Sequence, residues 1–191
     1  MIRAALAATA SLDRWLLVTV RRLESRAMTR LMRGFTHLGD TPSWLLVGLV
    51  FGLGGGEGPR NCALLGSAAG LALALSQPLK RVCRRQRPDR GPGGFAALTE
   101  NPDAFSFPSG HTTVAFAVAA AFAGQTGGLG TLALVLAIGI AVSRIYLGAH
   151  YPLDVAAGVL LGTLAGTAAR ILVNQLPLLK LMGYATLAAM S

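Results

Sequence analysis

The sequence predicts an all-α, polytopic transmembrane helix bundle of about five spans, preceded by an amphipathic helix lying in the membrane interface. Three observations carry that expectation. The 191 residues are 53% hydrophobic and only 13% charged, with a mean hydropathy of +0.56, whereas soluble domains carry roughly a quarter charged residues. The apolar residues come in long Ala-, Gly- and Leu-rich runs, without the alternation of a porin-like strand. The cations gather between those runs, in islands. The length suits one domain over residues 1–191, divided into an interfacial segment (1–40), a transmembrane core (41–173) and a tail (174–191).

Residues 1–20 form a mildly apolar run broken by Asp13 and Arg14. Its core is short for a signal peptide and no clear cleavage site follows. From Leu12 to Leu38, apolar Leu16, Val20, Leu23, Met28, Leu31, Met32 and Phe35 alternate with Arg21, Arg22, Arg26, Arg30 and Arg33. That spacing predicts one amphipathic helix with a basic face, lying in the interface. His37 at its end is expected to be an ordinary interfacial residue without partners. Thr41-Pro42 opens the first span, with Pro in the first turn, and the run to Gly56 is short for a crossing. Gly54 to Pro59 is a loop. Asn61 to Leu79 is the second span, and 81–103 is a basic, Pro- and Gly-rich loop. Ser109-Gly110 opens the third span, which runs to about Gly124. After a turn at 126–128, Leu129 to Tyr146 is the fourth. Pro152 starts the fifth, which reaches about Val173. Gly158, Gly162 and Gly166 in that last span have the small-xxx-small spacing of closely packed helices.

Net charge is +9. Nucleic acid is a poor match for it, because the cations sit in loops between apolar runs and few aromatics are available to stack bases. Anionic headgroups and phosphates fit better. Cys62 and Cys83 flank an apolar run that would hold them roughly 30 Å apart across a bilayer, too far for a disulfide. They are expected to be free thiols, and no Cys/His spacing suggests a metal.

Five spans bring the loops 21–41, 80–108 and 144–153 to a common face. Lys80, Arg87 and Arg144 then meet there, and charges beside a bilayer are costly enough that a role is the default expectation. Arginine forks match phosphate oxygens bidentately and lysine serves as a point charge. For Arg81, Arg84, Arg85 and Arg90 a topology role is expected instead. Ser109 is placed to cap a helix whose first-turn N–H groups bind anions, with His111 over the same anion. Asp154 lies four residues after His150, close enough to hold one imidazole nitrogen protonated and leave the other free as base or nucleophile. The bland alternative is a capping Asp154 beside an interfacial His150.

The three islands together resemble the signature of the type 2 phosphatidic acid phosphatase superfamily. Lys80 to Pro88 reads Lys-(six residues)-Arg-Pro, Pro108 to His111 reads Pro-Ser-Gly-His, and Ser143 to Asp154 reads Ser-Arg-(five residues)-His-(three residues)-Asp. The likeness extends over about residues 36–172. It implies a membrane lipid phosphatase in which His150 attacks phosphorus, Asp154 orients it, and His111 protonates the leaving oxygen and then activates water. Lys80, Arg87, Arg144, Ser109 and the Gly110 amide would hold the phosphoryl oxygens, with no metal or other cofactor. The implied partners are the bilayer and a phosphorylated membrane lipid: phosphatidic acid, phosphatidylglycerophosphate or a polyprenyl phosphate or diphosphate. Two other readings share these residues, a phosphotransferase using the same site and a non-enzymatic scaffold for anionic lipids. Phe95, Phe105 and Phe107 are expected to meet acyl chains or anchor the interface. The expected location is the cell membrane. Seven arginines lie within residues 3–33, six cations within 80–90 and one at Arg144, fourteen of the seventeen. If residues 1–20 do not cross, all fourteen lie on the site's face, which the positive-inside rule then makes cytoplasmic.

Overall fold

In the computed structural model, which describes residues 2–90, 95–101 and 103–175, seven α-helices account for nearly all regular structure. They are α1 (Ile2–Arg21), α2 (Arg26–Leu38), α3 (Thr41–Leu53), α4 (Gly58–Cys83), α5 (Gly110–Ala121), α6 (Leu129–Tyr146) and α7 (Pro152–Gln175). Among the described residues the β structure is a single isolated bridge, Gln86 to Phe105. The predicted all-helical membrane bundle is therefore the observed one. By length and composition α4, α6 and α7 are long enough to cross a membrane, while α3 and α5 are shorter apolar helices of 13 and 12 residues.

The short α5 is the centre of the bundle. It packs on α4, α6 and α7. Eight of its residues are buried, from Thr112 to Ala121. Its apolar face joins Leu64, Leu65, Ala68 and Ala72 of α4 and Ala165, Ala169 and Val173 of α7 in the main core. Its other side meets Ala137 and Ile140 of α6. By contrast α3 buries none of its residues, and Leu45, Leu46, Leu49, Val50 and Leu53 point outward with Leu160, Leu164 and Ile171 of α7. Such a wide apolar exterior belongs against lipid.

The glycines of α7 make the α5–α7 contact possible. A Cβ at Gly158 would stand 3.0 Å from the Ser109 carbonyl, and at Gly162 and Gly166 it would strike the Thr113 and Ala117 carbonyls. The small-xxx-small spacing is thus a backbone-to-backbone seam.

The predicted single helix from Leu12 to Leu38 is instead two. α1 ends at Arg21, and a turn leads to Ser25, whose Oγ accepts the Met28 N–H at 3.2 Å and caps α2. Periodicity could not reveal this break, because the arginines continue through the turn in nearly the same spacing. The second predicted span also begins and ends outside its expected limits, and Pro78 lies within α4. Cys62 and Cys83 fall near opposite ends of α4 and are free thiols.

Candidate active site

Three loops converge at one end of the bundle, each placed by a local backbone feature. α4 stops because Arg84 takes a left-handed conformation, its N–H bonded to the Lys80 carbonyl. The chain then runs back beside 105–106, where the Ser106 N–H reaches the Arg85 carbonyl at 2.8 Å. After α6, Gly148 at φ +72° lets the chain curl so that the Arg144 carbonyl accepts both the Ala149 and His150 N–H groups at 3.1 Å. That curl ties the cation and histidine of the third motif to one carbonyl. The Ser109 N–H donates to the Asp154 carbonyl at 3.0 Å, joining the starts of α5 and α7.

These turns bring the predicted residues together. His150 is 1% exposed. Its Nε2 lies 3.3 Å from Arg87 Nη1, and its Nδ1 lies 3.7 Å from Asp154 Oδ2, within ion-pair range but longer than a hydrogen bond. Arg87 also donates to the carbonyls of Asp103 and Ala149 at 2.8 Å. Arg87 and Arg144 share Asn101 Oδ1 at 3.3 and 3.4 Å, and Lys80 pairs with the Asp103 carboxylate. Lys80 also lies against the start of α5, 3.8 Å from where a Cβ on Gly110 would stand. Arg87 thus faces one nitrogen of His150, with Lys80 and Arg144 joined to it through Asp103 and Asn101 in a cradle of three cations, while a carboxylate stands behind the other.

Burial in the first place, and then Arg144, Arg87 and Lys80, push the His150 pKa well below the ordinary imidazole value. The ring is neutral at neutral pH, as a nucleophile must be. Burial alone would raise the Asp103 carboxyl, but its hydrogen bond to Lys80 and the charges of Lys80 and Arg87 hold it below the usual range.

His111 has a carboxylate partner of its own. Its Nε2 is 2.7 Å from Asp40 Oδ1, and His37 Nδ1 is 3.0 Å from Asp40 Oδ2. His37 therefore has a partner, contrary to expectation, because the turn between α2 and α3 folds Asp40, three residues on, back to its ring. The two histidines outweigh burial and hold the Asp40 carboxyl below its usual value. Ser109 does not cap α5 through its side chain. Its hydroxyl accepts from Thr112 Oγ1 at 3.0 Å.

Several polar partners lay outside the motifs. Thr36 of α2 accepts from Arg144. Arg85, expected to be a topology signal, is instead built in: it donates to Asp154 Oδ1 at 2.8 Å, pairs with Asp13, and lies 4.2 Å over the Tyr151 ring. Phe95 packs against Gly148 and under the Arg21 guanidinium, 4.9 Å from it. A signal for Asp13 did exist. It is the sole carboxylate before Glu24, in an apolar run where a charge needs a reason.

The fold and site have relatives. The model of the PAP2 superfamily matches residues 61–177. The chain is 40% identical over 135 residues to the decaprenylphosphoryl-5-phosphoribose phosphatase of Mycobacterium tuberculosis, covering 70% of this chain and 74% of that protein. Among solved structures it resembles the transmembrane PAP2 type phosphatidylglycerolphosphate phosphatase of Bacillus subtilis, with a TM-score of 0.72 at 26% identity over 88% of each chain. It also resembles LpxE of Aquifex aeolicus, with a TM-score of 0.70 at 25% identity over 83% of this chain and 94% of the other. With its three motifs gathered at one end of a membrane bundle, and with these matches, the chain belongs to the PAP2 superfamily as a membrane-embedded lipid phosphatase.

Proposed function

We propose that this phosphatase acts through a phosphohistidine on a lipid phosphomonoester or diphosphate, with a polyprenyl-linked phosphate as the first substrate to test. The observation that carries the mechanism is the position of His150, with its Nε2 against Arg87 in the cation cradle and its Nδ1 facing Asp154. His150 Nε2 attacks phosphorus and forms an N–P bond as the P–O bond to the lipid breaks. His111 gives its proton to the departing oxygen. Water then loses a proton to His111 and attacks phosphorus, the N–P bond breaks, and orthophosphate and neutral His150 return. Asp154 stabilises the charge on the imidazole during both steps. Lys80, Arg87, Arg144 and the first-turn N–H groups of α5, from Gly110 onward, hold the phosphoryl oxygens where charge develops. The polyprenyl substrate is favoured by the 40% identity to the mycobacterial phosphatase.

The test is phosphate release by purified protein in detergent with chelator, over polyprenyl, phosphatidic acid and phosphatidylglycerophosphate substrates, beside His150→Ala. Release that survives chelation and is lost in the variant supports the reading. Release that persists in His150→Ala sinks it, and release only with an added lipid or sugar acceptor points to phosphotransfer.

We further propose that residues 1–191 make a single membrane-embedded domain of the cell membrane, with its site facing the cytoplasm. Arg22, Arg26, Arg30 and Arg81 lie at the site end, and at the other end Arg60 and Arg170 pair with Asn174 and the Ala123 carbonyl. Cys83, exposed at the site end, reports this directly. A membrane-impermeant thiol reagent should reach it only after permeabilisation, and labelling on intact cells would reverse the assignment.

A further inference from the structure

Asp13 is a buried carboxylate that none of the three motifs contains. It is 1% exposed in a helix where Leu12, Trp15 and Val18 point outward. Both its oxygens are engaged at the site. Oδ1 accepts the Leu153 N–H at 2.8 Å, in the first turn of α7, and Oδ2 pairs with Arg85 Nη2. The other terminal nitrogen of Arg85 donates to Asp154 Oδ1, and Asp154 Oδ2 accepts the Tyr151 N–H at 2.9 Å while facing His150. The four side chains form a continuous line from α1 to the attacking imidazole.

Charge balance gives that line a purpose. Lys80, Arg87 and Arg144, with His111 beyond them, oppose any positive charge on His150, and Asp103 offsets them only in part. A single carboxylate paired with Arg85 would be neutralised and could do little for a cationic ring. Two carboxylates sharing one guanidinium keep a net negative charge behind His150. A buried charge left without a partner is strongly unfavourable, and the part-exposed Arg85 is the cation that both fully buried carboxylates share.

We infer that Asp13 is a positioning residue for the nucleophile: by holding Arg85 and the first turn of α7, it sets Asp154 against His150 and leaves Asp154 its charge. This rests on the phosphohistidine reading. α1, outside the matched family region, then supplies part of the catalytic apparatus.

The experiment compares Asp13→Asn, Asp13→Glu and the double variant Asp13→Asn with Arg85→Gln, by steady-state kinetics and thermal melting in detergent. Asn can still accept the Leu153 N–H but carries no charge. Asp13→Asn should lower kcat at least tenfold while KM stays within about threefold and Tm within a few degrees. Asp13→Glu should regain most of the loss. The double variant removes both charges, so Asp154 is no longer neutralised, and its kcat should exceed that of Asp13→Asn. This double variant also serves if the single change fails to fold. A residue that only caps α7 predicts otherwise. Then kcat for Asp13→Asn would stay within twofold, or fall only as Tm falls, and the double variant would be no better than the single; any of these results overturns the inference. His150→Ala is run beside them. If it is inactive while Asp13→Asn is normal, only the role of Asp13 fails. If His150→Ala remains active, the phosphohistidine reading fails first.

Discussion

The site holds two histidine–carboxylate pairs, and they differ in depth. His150 and Asp154 are 1% and 0% exposed, walled in by Arg85, Arg87 and Arg144. His111 and Asp40 have side chains 28% and 42% exposed, with His37 at the outer edge at 72%. The difference matches the chemistry proposed for each. A nucleophile must stay neutral and fixed, which burial among cations enforces. An acid that reprotonates every cycle and receives a proton from water must reach solvent. The outer pair is hydrogen-bonded at 2.7 Å, whereas the inner pair stands 3.7 Å apart, beyond hydrogen-bond range. The inner pair is held mainly through its surroundings, and the outer pair through its own contact.

Substitutions that cross this divide should rank in a definite order. His150→Gln should lower kcat by about 10⁴-fold or more, since it removes the proposed nucleophile; acid-quenched samples with radiolabelled substrate should then show no phosphoenzyme. Asp40→Asn should lower kcat about 10²-fold with KM little changed, in the range general acid–base catalysis contributes. A KM effect of that size with kcat preserved would place Asp40 in binding instead. Asp103→Ala should tighten inhibition by orthophosphate several-fold. Its carboxylate and the phosphoryl oxygens compete for Lys80 and Arg87, and a weaker inhibition constant would show that Asp103 helps hold the anion. His37→Gln should change kcat less than twofold, because so exposed a partner adds little to Asp40.

Acid should separate the pairs as well. The folded His150 pKa is depressed, by burial first and then by Arg144, Arg87 and Lys80. Below about pH 6.5 the unfolded chain takes up this proton and the folded chain does not. The stability contributed by neutral His150 is thus intact above that pH and declines as pH falls below it. Tm measured from pH 7.5 to 5 should drop more in the native protein than in His150→Gln. Equal slopes would mean the ring titrates normally.

Much of this was legible because the residues sit in short, ordered motifs. Lys80, Arg87, Ser109, Gly110, His111, Arg144, His150 and Asp154 all arrive at one end of the bundle, as the alternation of spans and loops required. Span lengths were less readable. Hydropathy runs continuously from Ser109 to Gly124, yet α5 ends at Ala121, where the Phe122 N–H bonds back to Val118. The partners that hold the motifs were largely hidden. Thr36, Asp40 and Asp13 come from segments that sequence separates from the motifs by 40 residues or more, and ordinary polar residues in a loop or helix carry no local mark of what they will touch. Arg85 shows the limit best. It sits among five other cations between residues 80 and 90, and only its folded partners Asp13, Asp154 and Tyr151 distinguish it from a topology signal.

The glycine seam between α5 and α7 bears on how far the chemistry can be reached from outside the site. Each of the three glycines faces a backbone carbonyl of the Ser109–Ala117 stretch that cannot swing aside, so a wedge at one point must move a whole helix. Gly166 lies twelve residues along α7 from Asp154, about 18 Å at the helical rise, and a methyl there meets the Ala117 carbonyl. Gly166→Ala should cost about 1–3 kcal/mol as an overpacked core does. It should also tilt the carboxylate end of α7 away from the start of α5, slowing turnover from a position remote from the motif residues.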